Sequence, residues 1–233
     1  MQRGMRHMAG TLIVLEGTDG SGKSTQFARL KERLSAQGAQ FQCLKFPQYE
    51  EESSALIRMY LAGEFGSRPS DVNGYAASAF YAVDRYASYK KVWGEWYERG
   101  GLVLADRYTT SNAIHQASKV PQEEREDFFR WLYDFEYRKL GLPRPDLVVY
   151  LDVPTEASVH MLRSREEQTN THADIHEQDT AYLRSCRESG RQAAEVLGWY
   201  QVQCVRNDQL RSIEDIHAEI WRQVEPLMNG KGE

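Results

Sequence analysis

Long apolar runs are missing from this chain: none approaches the ~18 residues that suggest a membrane-spanning helix. Cysteine is scarce. The three thiols, Cys43, Cys186 and Cys204, are an odd number without metal-ligand spacing, so reduced or buried thiols in a cytoplasmic protein are expected. A basic excess is also lacking. The net charge of −5 and pI near 5.8 argue against a nucleic-acid partner, which wants a basic surface. No Pro/Ser-rich linker and no internal repeat divides the 233 residues, which read as one domain over 1–233. The opening MQRGMRHMAG is basic, but no apolar leader core follows it before Thr11. An irregular start over 1–10 is expected, with Met5 or Met8 as alternative initiators, and no membrane is expected as a partner.

Against these absences stands LIVLEGTDGSGKST, an apolar run that breaks into Gly17-x-x-x-x-Gly22-Lys23-Ser24. Glycines at this spacing let the backbone turn its N–H groups inward around a polyphosphate. The lysine then reaches the β- and γ-phosphates, and the Ser24 hydroxyl can sit on Mg²⁺. A helix-period segment (Phe27, Leu30, Leu34) follows, so a positive helix N-terminus also faces the anion. The expected nucleotide-binding set is Gly17, Thr18, Asp19, Gly20, Ser21, Gly22, Lys23, Ser24 and Thr25, with ATP and Mg²⁺ as its ligands.

Five β-like runs, at 11–16, 41–46, 102–106, 146–153 and 200–205, alternate with helical patterns. Near-continuous apolar strands suit a parallel sheet buried on both faces, so the spacing predicts an α/β fold with five parallel strands flanked by helices. Ligands in such folds gather beyond the carboxyl ends of the strands. The glycine loop, Phe46-Pro47 and Asp106-Arg107-Tyr108 each follow a strand and so share one rim. The segment 163–179 is the most polar stretch, with Ile175 its one long apolar side chain; it reads as a solvated loop or a lid.

Asp106 closes the third strand, where a carboxylate can hold hydrated Mg²⁺ beside the loop serine. Arg107 would meet the phosphate being transferred or the acceptor's own phosphate, where a planar guanidinium binds bidentately. A long helix is predicted over 71–99. On it Tyr81 and Arg85 share a face and could hold a base by stacking and by donation to a carbonyl. A second stripe (Tyr75, Ala79, Ala82, Tyr86, Tyr89, Trp93, Trp96) reads as core or as a homodimer interface.

Read together, these segments resemble the thymidylate kinases, P-loop enzymes that phosphorylate dTMP to dTDP with ATP, over nearly the whole chain from Thr11 to Val224. GTDGSGKSTQ is similar to the family's loop, and the resemblance implies that Asp19 approaches the acceptor's 3′-hydroxyl. FYAVDRY resembles the base-binding helix, with Tyr81 stacking in place of the usual phenylalanine and Arg85 donating to the base carbonyl. DRYTTSNAIHQ resembles the stretch that puts Arg107 on the acceptor phosphate, Ser111 beside the pyrimidine, and His115 or Gln116 against the sugar 2′ position. PDLVVYLDVP is similar to the fourth strand, and RSREEQTNTHADIHEQD to the lid. Family members without an arginine in the loop carry catalytic arginines in the lid. Gly20 stands at that loop position here, which implies a catalytic role for Arg163 and Arg165. The resemblance also implies that Phe46 and Tyr49 border the dTMP site and that the enzyme is a homodimer. Tyr49 and Ile175 stand where many members have arginine.

Phosphoryl transfer to a phosphate asks for positioning and charge neutralisation rather than a strong base. A deoxynucleoside kinase, whose acceptor is a neutral hydroxyl, would instead need a carboxylate base after the second strand, where Glu50, Glu51 and Glu52 stand. A non-catalytic nucleotide sensor has no need of Lys23, Asp106, Arg107 and lid arginines together.

Overall fold

The computed structural model describes residues 9–169 and 180–229. The first strand, β1 (Thr11–Gly17), is buried along its whole length. Its alternating residues go to opposite faces, as the pleat dictates. Leu12 and Val14 join one core with Trp93, Phe128 and Phe129, while Ile13 and Leu15 join the other with Leu30, Leu34, Ile220 and Trp221. Around β1 lie β2 (Phe41–Lys45), β3 (Leu102–Asp106), β4 (Leu147–Asp152) and β5 (Tyr200–Gln203), in the order β2-β3-β1-β4-β5. Every pairing among these five is parallel.

Nine α-helical stretches occur among the described residues: α1 (Lys23–Ala36), α2 (Ala55–Leu61), α3 (Gly74–Ser88), α4 (Gly94–Glu98), α5 (Thr109–His115), α6 (Arg125–Tyr133), α7 (Thr155–Thr169), α8 (Thr180–Leu197) and α9 (Ile213–Asn229). None is long and apolar enough to cross a membrane. A two-stranded hairpin, β6 (Val205–Arg206) and β7 (Gln209–Leu210), follows β5.

Four sequence expectations need correction. The predicted helix over 71–99 begins at Gly74, capped by the Asn73 side chain on the Ala76 amide, and changes to a π-helical turn over Tyr89–Trp93 before α4. The aromatic stripe divides between core and surface. Tyr89, Trp93 and Tyr97 turn into the core, whereas Tyr75 and Tyr86 are left exposed. The fourth strand starts one residue late because the Asp146 carboxylate turns back to accept from the Leu12 amide at 2.8 Å. The fifth ends at Gln203, and Val205 pairs in the hairpin instead. Finally, the polar segment 163–179 is not a loop throughout: α7 continues to Thr169, and 170–179, including Ile175, lies outside the described residues. The thiols are uncrosslinked; Cys186 and Cys204 are buried but Cys43 is exposed on β2.

Candidate active site

The register places Leu15 and Lys45 on either side of Asp106, and Gly17 beside Leu151. The ends of β1, β2, β3 and β4 thus form one rim, as the motifs predicted. At its centre the glycine loop turns with Gly20 and Gly22 in left-handed conformations, at φ of 74° and 78°. A β-carbon on Gly20 would lie 2.4 Å from the Ser158 carbonyl oxygen of α7. No side chain fits there, so an arginine cannot be carried at that point of the loop. Gly22 then caps α1 without a side-chain acceptor, leaving the first-turn amides of Lys23, Ser24 and Thr25 directed at the loop's hollow. Thr18, Ser21 and Lys23 are buried, and Ser24 and Thr25 are exposed.

Lys23 reaches across the rim until its Nζ lies 3.9 Å from Asp106 Oδ1. Burial, and then the neighbouring Arg107 charge, hold its ammonium below the ordinary lysine range, against the pull of Asp106, Asp19 and Glu16. Asp106 Oδ1 is buried with no hydrogen-bond donor among the described residues. A hard anionic oxygen without a hydrogen-bond donor, 3.9 Å from the loop lysine, fits Mg²⁺, which takes one or two carboxylates and completes its shell with water and phosphate oxygens.

Arg107 follows β3 with φ of 69°, a strained position for a residue with a β-carbon, costing roughly 1–3 kcal/mol. Its amide donates to the Leu15 carbonyl at 3.2 Å, which ties the turn to β1. The turn sends the guanidinium over the loop, where it pairs with Asp19 and donates to His115 Nε2 at 2.8 Å. An arginine has no acceptor to offer, so His115 accepts at Nε2 and carries its proton on Nδ1, which faces Cys186 Sγ at 3.6 Å. Burial disfavours the Arg107 charge, but Asp19, Glu16 and Asp106 outweigh it and shift the group upward.

Beneath the loop lies a residue sequence reasoning did not single out. Glu16 is fully buried, and its Oε1 accepts from the Tyr108 amide at 3.2 Å, Thr110 Oγ1 at 2.6 Å and Ser111 Oγ at 2.8 Å. Burial raises its pKa, against Arg107 and the two hydroxyls. The usable signal was a lone carboxylate at the end of an otherwise apolar strand.

One cavity runs from this rim between α3 and α5. Its phosphate-loop end carries Asp19 and Arg107; its walls carry Phe46, Pro47, Leu61, Tyr108, Ser111 and Tyr182; and Tyr49, Tyr81, Arg85, Asn112, His115 and Gln116 complete the lining. All nine sequence-predicted acceptor residues (Asp19, Phe46, Tyr49, Tyr81, Arg85, Arg107, Ser111, His115, Gln116) line it. Tyr49 is about half exposed, and its backbone carbonyl accepts from Arg58 Nη1 at 2.8 Å. Gln116 is buried, and its Oε1 has no donor among the described residues. Arg85 is 1% exposed and engages Glu136, another residue the sequence did not flag. Arg163 is exposed on α7; Arg165 lies on the same helix, and its side chain is outside the described residues. Glu50, Glu51 and Glu52 are exposed, none lines the cavity, and Glu51 pairs with Lys91 at 3.2 Å.

The sequence model of thymidylate kinases matches residues 15–220, which takes in every strand of the main sheet except part of β1. The chain belongs to the thymidylate kinase family. Among curated relatives, the thymidylate kinase of Mycobacterium tuberculosis is 34% identical over 171 residues, 72% of this chain and 78% of that protein. A probable thymidylate kinase of Pyrococcus horikoshii is 30% identical over 213 residues, 91% of this chain and 95% of that one. The solved structure of thymidylate kinase from Candida albicans superposes with a TM-score of 0.67 over 95% of this chain and 93% of its own, at 19% identity, and so bears on the fold.

Proposed function

We propose that this enzyme transfers the γ-phosphoryl group of ATP to dTMP, giving dTDP, and supplies the pyrimidine deoxynucleotide route to dTTP. One observation carries the reading: a single cavity joins the phosphate loop, through Asp19 and Arg107, to a closed polar end at Arg85 and Gln116. That is the layout needed to put an acceptor phosphate in line with a bound triphosphate while its base lies remote. A hydroxyl-phosphorylating enzyme would need a carboxylate base at Glu50–Glu52, and those exposed residues do not line the cavity.

In this reading Lys23 and the loop amides bind the donor phosphates, and Arg107 holds the acceptor phosphate. Substrate phosphate then competes with Asp19 for the guanidinium, and Asp19, displaced, is available to the sugar 3′-hydroxyl. Ser24 and Asp106 would hold Mg²⁺, which supplies charge neutralisation on the phosphates when bound. Arg163 and Arg165, the arginines to which the resemblance gives a catalytic role, would stabilise charge on the group in transfer. Tyr81 stacks on the base, Ser111 lies beside it as an acceptor because its proton is committed to Glu16, and Gln116 or His115 bounds the sugar 2′ position. The exposed Tyr75, Val83 and Tyr86 of α3 give a homodimer its apolar face. A cytoplasmic location suits the uncrosslinked thiols.

The test is ATP-dependent phosphorylation across a panel of nucleosides and monophosphates. dTMP is expected to exceed thymidine by at least ~10-fold in kcat/KM, about 1.4 kcal/mol of transition-state binding. Equal or better use of thymidine overturns the reading.

A further inference from the structure

The family resemblance gives Arg85 the role of donor to the base carbonyl, and Glu136, its partner in the fold, has no role in the reading above. Arg85 Nε donates to Glu136 Oε2 at 2.7 Å and Nη2 to Oε1 at 2.5 Å, a two-point pairing in which neither side chain is more than 2% exposed. Glu136 is itself saturated: Thr109 Oγ1 donates to it at 2.8 Å and Asn112 Nδ2 at 3.2 Å, both from α5. The guanidinium's remaining contact is long, Nη1 to the Tyr108 carbonyl at 3.4 Å. A guanidinium has five donors, so N–H groups remain on Nη1 and Nη2, and Arg85 lines the cavity.

The backbone is shaped for this pairing on both sides. Arg85 lies four residues before the π-helical turn Tyr89–Trp93, and Glu136 lies inside a second one, Asp134–Lys139, which continues α6. The wide turn, closed by the Leu140 amide on the Phe135 carbonyl at 3.0 Å, brings both Glu136 and Tyr137 inward. π turns weaken a helix and recur where function needs a side chain re-aimed.

Two consequences follow from the geometry. The guanidinium cannot rotate without breaking two charge-assisted bonds, so its remaining donors point one way. The pair is also net neutral, so it offers hydrogen-bond donors without attracting an anion; the cationic pull on a phosphate is confined to the Arg107 end. We infer that Glu136 is the positioning residue that makes Arg85 a fixed, donor-only recogniser of a base carbonyl, and thereby a determinant of which pyrimidine monophosphate is accepted. The inference rests on the cavity's assignment to a nucleoside monophosphate. A carbonyl such as thymine's satisfies the donors, whereas the amino group of dCMP at that position opposes them and leaves both sets unpaired.

Glu136→Gln removes the charge and one acceptor at constant volume. The expected result is a KM for dTMP raised at least ~10-fold, with kcat within about 3-fold and the ATP KM unchanged. The ratio of kcat/KM for dTMP over dCMP should also shrink by at least ~10-fold, because a released guanidinium no longer enforces the carbonyl. If Glu136→Gln does not fold, Glu136→Asp keeps the charge and shortens the reach by one methylene, and the same shrinkage is expected. A folded variant whose dTMP:dCMP ratio equals the parent's, however far its stability or overall activity falls, overturns the inference, since a merely structural role lowers both substrates alike. Failure of the underlying reading is told apart in the parent enzyme: it would leave dTMP unphosphorylated there.

Discussion

Both ends of the acceptor cavity carry an arginine facing a carboxylate, yet they differ in what surrounds the pair. At the far end Arg85 meets Glu136 on two nitrogens, both side chains sealed from solvent and held by Thr109 and Asn112. At the rim Arg107 sits on a strained turn and shares its guanidinium between Asp19 and His115, with side-chain exposures of 18% and 24% for the ion pair. The first arrangement is permanent, because releasing it would strand two charges in a dry interior. The second can be exchanged for a phosphate, since Asp19 has solvent to return to. The same residue type therefore serves recognition of a neutral group at one end and capture of an anion at the other, and burial decides which.

The largest effect should come from breaking the sealed pair. Arg85→Gln leaves Glu136 charged and buried and should cost about 3–5 kcal/mol in urea denaturation, with the Arg85→Gln/Glu136→Gln double variant regaining much of it. Arg107→Gln, the same change at the rim, should cost under about 1 kcal/mol. Equal losses at the two ends would erase the distinction drawn between them.

Activity should sort the other way. Lys23→Ala and Arg107→Ala are each expected to lower kcat/KM for dTMP at least ~100-fold while circular dichroism stays that of the parent, the scale of losing one preorganised charge contact. For Lys23 the thermal midpoint should also hold, because its ammonium is disfavoured by burial rather than needed by the core. Activity within a few-fold of the parent for Lys23→Ala removes the phosphate-loop assignment.

A smaller change sharpens the picture of the rim. Tyr49 lines the cavity and is 46% exposed. Tyr49→Arg should lower the KM for dTMP a few-fold, because a charge-assisted contact is roughly twice as strong as a neutral one. An unchanged KM in steady-state assays would mean that residue 49 does not reach the acceptor phosphate.

The smallest effect concerns Lys119, which shows what burial does to a cation with no carboxylate partner among the described residues. Its Nζ donates to Tyr60 Oη at 2.8 Å and the Val72 carbonyl at 3.0 Å, and burial pushes its pKa down to about 8. Between about pH 8 and the unperturbed lysine value near 10.4, the unfolded chain keeps a proton that the folded one has released. Stability should therefore rise with pH across that window, and Lys119→Met should lose a rise on the order of 1 kcal/mol, measured as the parent-minus-variant difference between pH 7.5 and 9.5. Parallel slopes in the two proteins would exclude Lys119 as its source.

The alternation of the apolar strands, the glycine spacing of 17–22 and the strand-end pair Asp106-Arg107 were sufficient, without coordinates, for a five-stranded parallel sheet with a phosphate site on its rim. These are local signals: a short apolar run and a loop's glycines can each be read within a few residues. The nine residues to which the resemblance gave an acceptor role line one cavity, beside others it did not name, such as Asn112 and Tyr182. What remained hidden was decided by partners distant in sequence. Glu136 is 51 residues from Arg85, and Ser111 is 95 from Glu16. Glu16 shows only as a lone carboxylate on an apolar strand and Glu136 not at all, and the partners of neither can be named until packing removes the water around them. The two π turns were equally out of reach, because a helical stripe read at 3.6 residues per turn cannot show where the period changes. Sequence alone thus determined the chemistry available at the rim, and tertiary burial decided which charges are fixed and which are free to meet a substrate.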